Sequence, residues 1–294
     1  MKQESEEPER QMNPSGNPIS RRRFLKAAGA ATALAFIIPS ELFARTKPVK
    51  IPELPEIKDW LHRSGIDKKQ LEVFDDPLIQ IYRIPKRART MTFEEYRKIF
   101  IEPIRISHGK KFVEKYRREL AQAQRDHGVA PEYIASVLGI ESTYGKDTGS
   151  YEALNALISR YREAKKPDKR TEILHDIRNL LLFAKMQGAN PLDYCGSYAG
   201  AIGWPQFMPS SLMRHYKHVG RNFDYNDPRE AISMVAIYLK NEGWKKGAER
   251  ELPYRKPLMG YNNSKWYAKV VTEFAGLMRK HWDGTAPKSQ KWER

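Results

Sequence analysis

Pro131-Glu132-Tyr133-Ile134-Ala135-Ser136-Val137-Leu138-Gly139-Ile140-Glu141-Ser142-Thr143-Tyr144-Gly145 reads as a helix from end to end. Proline suits the first helical position, where its missing N–H would be unpaired anyway, and Glu132 sets a negative charge in the first turn. Ile134, Val137 and Leu138 recur at i, i+3 and i+4, and the next member of that stripe, at i+7, is Glu141. A carboxylate therefore falls on the apolar face, and Gly145 is expected to end the helix four residues later. A carboxyl turned inward loses hydration in its charged form, which suits it to hold and deliver a proton. The same pattern fits a carboxylate neutralised by an arginine in an ordinary core, and both readings stand at this point.

Further stripes of helical spacing surround this segment: Phe112, Tyr116, Leu120 and Ala123; Ile173, Ile177, Leu180, Leu181 and Ala184; Ile232, Val235, Ala236 and Leu239; and Trp266, Val270, Phe274, Leu277 and Met278. Long alternating patterns are missing, and only the neighbourhood of Ile79, Ile81 and Ile84 suggests a short strand. The expected fold is mainly α, one helical domain with irregular loops and little or no sheet.

The chain has 294 residues, a formal charge of +16 and a pI near 9.7. Its 40% hydrophobic content excludes a wholly disordered chain, and a single cysteine, Cys195, excludes an internal disulfide or a cysteine-based metal site. Ser20-Arg21-Arg22-Arg23-Phe24-Leu25-Lys26, followed by an uncharged run from Ala27 to Ser40, has the make-up of a twin-arginine export signal. That run is shorter than the roughly 20 residues of a membrane span. Cleavage is expected near Ala44, giving a soluble periplasmic protein without a transmembrane helix. Removing residues 1–44 takes away six basic and five acidic residues and leaves +15. Such a charge points to a polyanion; export puts nucleic acid out of reach and leaves the cell wall, whose peptide stems carry carboxylates. A merely solvated basic surface accounts for the charge equally well. Residues 45–57, rich in Pro and Lys, read as a linker or extended arm, residues 58–283 as the folded domain, and residues 284–294 as a polar tail.

A second constellation runs from Cys195 to Ser211, as Cys195-Gly196-Ser197-Tyr198-Ala199-Gly200-Ala201-Ile202-Gly203-Trp204-Pro205-Gln206-Phe207-Met208-Pro209-Ser210-Ser211. Small residues let a ligand approach the backbone, aromatic faces stack on sugar rings, and Ser and Gln hydrogen-bond hydroxyl and acetamido groups. The spacing matches neither a dinucleotide fingerprint nor a phosphate loop. Alone, such a stretch is equally a tight structural connection.

Together, the Gly139 to Gly145 and Gly196 to Ser211 segments resemble the lytic murein transglycosylases of the MltB type. Asp227-Pro228-Arg229-Glu230-Ala231-Ile232 and Tyr261-Asn262-Asn263-Ser264 followed by Tyr267 extend the resemblance, which covers the chain from about Thr92 to Met278. It implies a lysozyme-like helical core and cleavage of the MurNAc–GlcNAc bond of peptidoglycan. By position it puts the catalytic acid on Glu141 and substrate contacts on Ser197, Gln206, Tyr238, Tyr261, Asn262 and Tyr267, with Tyr96 a weaker match. Relatives often carry an acidic calcium loop before the Asp-Pro motif; here His218, Val219 and Arg221 stand among its residues, so no metal is expected, and no cofactor. The segment between Trp244 and Tyr261 is shorter than the insert of relatives, and the family's paired arginines fall near Lys169 and Arg170 without a secure match.

The motifs supply one obvious acid, whereas most glycosidases need two carboxylates. A single glutamate suffices if it protonates the glycosidic oxygen and then, as carboxylate, takes the proton from the muramoyl O6, with the acetamido group stabilising C1 between the steps. The product is a 1,6-anhydromuramoyl end. A hydrolytic muramidase on the same fold and a non-catalytic wall-binding scaffold are the alternatives, and a monomer is expected.

Overall fold

The computed structural model of the chain describes residues 51–83, 91–216, 223–245 and 255–282. In chain order the helices are α1 (Leu54–Arg63), α2 (Lys68–Leu71), α3 (Phe93–Phe100), α4 (Pro103–Lys115), α5 (Arg117–His127), α6 (Pro131–Ser142), α7 (Ala153–Glu163), α8 (Pro167–Gln187), α9 (Pro209–Tyr216), α10 (Pro228–Asn241), α11 (Arg255–Tyr261) and α12 (Lys265–Arg279). The sheet among the described residues is one antiparallel pair, β1 (Tyr151–Glu152) and β2 (Cys195–Gly196), with Tyr151 opposite Gly196. The fold is mainly α, as the stripes predict.

Helix α6 is the axis of the core. Every residue from Pro131 to Ser142 is buried, because α12, α10, α4 and α5 pack around it. The segment is apolar on nearly all sides, so it satisfies the hydrophobic effect only when enclosed. Its one charged residue near the start, Glu132, is fully buried and ion-paired with Arg279 Nε at 3.0 Å. A second group, α7, α8 and α9, packs beside this bundle, with α1 laid against α8.

Cap chemistry explains several motif residues. Asp227 is the N-cap of α10, its carboxylate accepting from the backbone N–H of Arg229 at 2.7 Å and of Glu230 at 3.3 Å, with Pro228 in the first turn. Ser264 caps α12 by accepting from Tyr267 N at 3.3 Å. Thr92 and Glu95 form a reciprocal capping box at α3.

The structure corrects four expectations. Helix α6 ends at Ser142, before Gly145: Thr143, Tyr144 and Gly145 are all left-handed, with φ of 52°, 57° and 78°. The stripe Phe112, Tyr116, Leu120 and Ala123 is broken at Tyr116, which stands between α4 and α5 with φ −110° and ψ 28°. Residues 79–83 form no strand; their backbone is served by α7 side chains, Gln80 N donating to Asn155 Oδ1 at 3.1 Å and Tyr82 N to Ser159 Oγ at 2.8 Å. Finally, α1 begins inside the segment expected to be a linker: Ile51 and Ile57 are buried in the core and Tyr161 Oη donates to Glu56 at 2.6 Å. The export signal, residues 45–50, Ile84 of the expected strand, residues 218–222 of the loop before Asp227, residues 246–254 and the tail lie outside the described residues.

Candidate active site

Glu141 occupies the last turn of α6 and is 4% exposed. Its Oε1 accepts a hydrogen bond from Tyr267 Oη at 2.8 Å. Tyr267 lies in the first turn of α12, where the Ser264 cap fixes the backbone, so a cap serine three residues away sets the position of the phenol. The left-handed turn after α6 then redirects the chain. Gly145 is required there on two counts: its φ is 78°, and a Cβ would lie 2.0 Å from the Trp204 ring. The Trp204 ring in turn lies 6.2 Å from that of Phe112.

The Gly196 to Ser211 stretch folds back on itself twice. Ser197 N donates to Ala201 O at 2.8 Å, and Ile202 and Phe207 exchange backbone hydrogen bonds at 2.9 and 3.1 Å. Gln206, left-handed at φ 54°, sits at the tip of the second turn. Its Nε2 donates to Thr148 O at 2.7 Å and Gly203 O at 2.9 Å, tying the loop to the segment that follows α6. The Ser197 hydroxyl accepts from Ala201 N at 3.2 Å, which braces the first turn.

Aromatic rings connect these pieces. Tyr261 stacks on Tyr267 at 6.3 Å with 14° between planes, meets Tyr238 edge-on at 4.7 Å, and donates its hydroxyl to Pro205 O. Phe207 stacks on Tyr238 at 5.3 Å. Burial, then the charge of Glu242, pushes the Tyr238 hydroxyl pKa up, with a further contribution from Glu141, so this phenol stays a hydrogen-bond donor at neutral pH. Behind these rings His215, 1% exposed, lies 5.2 Å from Tyr238 and shares a 3.0 Å hydrogen bond with Asn241.

A cleft of about 630 Å³ opens along this wall, lined by Gln206, Phe207, Tyr238, Tyr261 and Asn262 together with Arg160, Lys169, Glu172, His175, Asp176 and Asn179. Glu141 is one ring removed from it, through Tyr267 and Tyr261. Of the residues singled out in the sequence, Tyr261, Tyr238, Gln206 and Asn262 line the cleft, and Tyr267 and Glu141 stand behind Tyr261. Ser197 lies in the bracing turn, and Tyr96, 3% exposed, packs on Trp266 at 5.7 Å, beside the start of α12 rather than on the cleft. His215, Asn241, Asp176 and Arg160 escaped the sequence reading. Isolated polar residues on amphipathic helices carry no spacing signal, and what groups them is the crossing of α7, α8, α9 and α10.

Residues 55–257 match the family described as the transglycosylase SLT domain, and residues 18–37 match the signal sequence of the twin-arginine translocation pathway. The membrane-bound lytic murein transglycosylase B of Escherichia coli (strain K12) is 35% identical over 210 residues, covering 65% of this chain and 57% of that protein. The chain thus spans a little over half the length of that relative. Soluble lytic transglycosylase SltB1 from Pseudomonas aeruginosa superposes with a TM-score of 0.67 at 28% identity over 78% of this chain and 99% of its own. The E. coli lytic transglycosylase Slt35, at 23% identity, shares the fold with a TM-score of 0.68 over 85% of this chain and 100% of its own. The signal assigns the protein to export by the twin-arginine route into the periplasm, and the domain match, covering more than half of the residues, establishes that the chain belongs to the SLT transglycosylase family.

Proposed function

We propose that this chain is a periplasmic peptidoglycan lytic transglycosylase that cleaves the β-1,4 bond between MurNAc and GlcNAc and leaves 1,6-anhydromuramoyl ends. The observation that carries the reading is the buried Glu141 carboxyl, held at 2.8 Å by Tyr267 Oη at the end of an aromatic wall that borders a cleft. Glu141 gives its proton to the glycosidic oxygen as the bond to C1 breaks. The sugar's acetamido oxygen then stabilises C1, and the resulting carboxylate takes the proton of the muramoyl O6 as that oxygen closes on C1. Water is not consumed, and the scheme uses neither cofactor nor metal.

The carboxylates that line the cleft have structural duties, which favours a one-acid mechanism. Glu172 is ion-paired with Lys169, and Asp176 Oδ1 accepts from Ser210 N at 3.1 Å in the first turn of α9. Tyr238, Tyr261 and Asn262 offer stacking faces and hydrogen bonds to sugar rings, and Gln206 and Ser197 keep the loop in place under them. Tyr96 supports the start of α12 through Trp266. Digestion of purified sacculi followed by mass spectrometry tests the reading. Muropeptides about 18 Da lighter than hydrolysed ones are expected, because O6 replaces water as the attacking group. Reducing-end products would make the protein a muramidase, and binding without product would make it a scaffold.

A further inference from the structure

We propose that Arg160 recognises a carboxylate, and that this carboxylate is carried by the peptide stem of the glycan. The inference rests on the peptidoglycan reading and adds a second recognition element to the same cleft.

Arg160 sits on α7 and lines the same cleft as Tyr238 and Tyr261. Its Nη1 donates to Ala199 O at 2.8 Å, which fixes the guanidinium against the small-residue loop. Among the described residues the cleft's other cations are neutralised: Lys169 pairs with Glu172, and Arg214 pairs with Glu242 at 3.7 Å. Arg160 makes no ion pair within that set. Two carboxylates, Asp176 and Glu172, act on it without forming an ion pair; Asp176 is engaged with Ser210 N and Glu172 with Lys169. Burial also pushes the Asp176 pKa up. Burial has likewise lowered the Arg160 pKa, so water has been stripped from this guanidinium without a full replacement.

A planar, partly desolvated guanidinium is matched best by a carboxylate, which can accept two parallel N–H bonds. The same cleft offers Tyr238 and Tyr261 for sugar rings. A ligand that satisfies both sets of residues has sugar rings and an anionic branch, as a glycan strand has whose muramoyl groups carry peptide stems.

The test compares the wild type, Arg160→Met and Arg160→Lys on peptide-bearing glycan strands and on the same strands with their stem carboxylates converted to amides by carbodiimide and ammonia. Arg160→Met should raise KM on the peptide-bearing strands about tenfold more than on the amidated strands, with kcat little changed. Arg160→Lys should recover part of the loss. Equal losses on both substrates, or none on either, would overturn the proposal. If melting shows that Arg160→Met does not fold, Arg160→Gln keeps a donor for Ala199 O and takes its place under the same criteria. Wild-type inactivity on both strands would overturn the parent reading, whereas activity with no substrate difference overturns the role of Arg160 alone.

Discussion

At the scale of single residues the site is built on one contact, Tyr267 Oη to Glu141 Oε1 at 2.8 Å. In the proposed mechanism a donor in that position would orient the acid in its buried pocket and stabilise the carboxylate left after proton transfer. Hydrogen bonds to charged groups contribute about 1.5–3 kcal/mol, or about 10- to 100-fold in rate when the charge develops during the reaction. Tyr267→Phe keeps the ring that stacks on Tyr261, so kcat should fall by about that factor while the melting temperature changes little. A large loss of stability with unchanged kcat would assign the phenol a packing role instead. Glu141 was legible in the sequence because a lone carboxylate interrupts an apolar stripe. Tyr267 became legible through family resemblance, since its value depends on a partner 126 residues away.

Among elements, the turn after α6 matters most. Three consecutive left-handed residues swing the chain so that Gly145 meets Trp204, and Gln206 of the same loop reaches back to Thr148. Gly145→Ala must accept both a disfavoured φ and a Cβ 2.0 Å from the Trp204 ring, and should destabilise by about 1–3 kcal/mol and reduce turnover. Gly188→Ala is the control, because its φ of 64° carries the same backbone penalty and a Cβ there meets nothing within 4 Å. Equal melting losses in the two variants would show that the Trp204 contact contributes nothing. The helices themselves were readable, since burying one face imposes a period on the sequence. Their ends were less so. Glycine is the usual left-handed residue, yet Thr143 takes that conformation first, and a helix start at Leu54 was hidden by the Pro and Lys around it. Ile79 and Ile81 alternate as strand residues do, but Asn155 and Ser159 of α7 provide their neighbours' hydrogen bonds, a tertiary arrangement with no local signature.

On the scale of the whole molecule, a helical core encloses α6 on all sides and leaves its last turn beside an aromatic wall and a charged cleft. The export signal puts this site in the periplasm, and the positive charge suits an anionic polymer as well as it suits a solvated surface. Composition and motif order made that setting legible, while the cleft itself, assembled from α7 to α11 with contributions more than 100 residues apart, needed the fold. The central claim is that one carboxyl group, Glu141, performs both proton transfers. Its most direct test is digestion of intact sacculi by Glu141→Gln beside the wild type, with sacculus binding measured on the same samples. The amide keeps shape and hydrogen-bonding capacity and lacks the transferable proton, so anhydromuropeptide release should fall by at least about 1,000-fold while binding persists. Anhydromuropeptides released by Glu141→Gln at the wild-type rate would contradict the account.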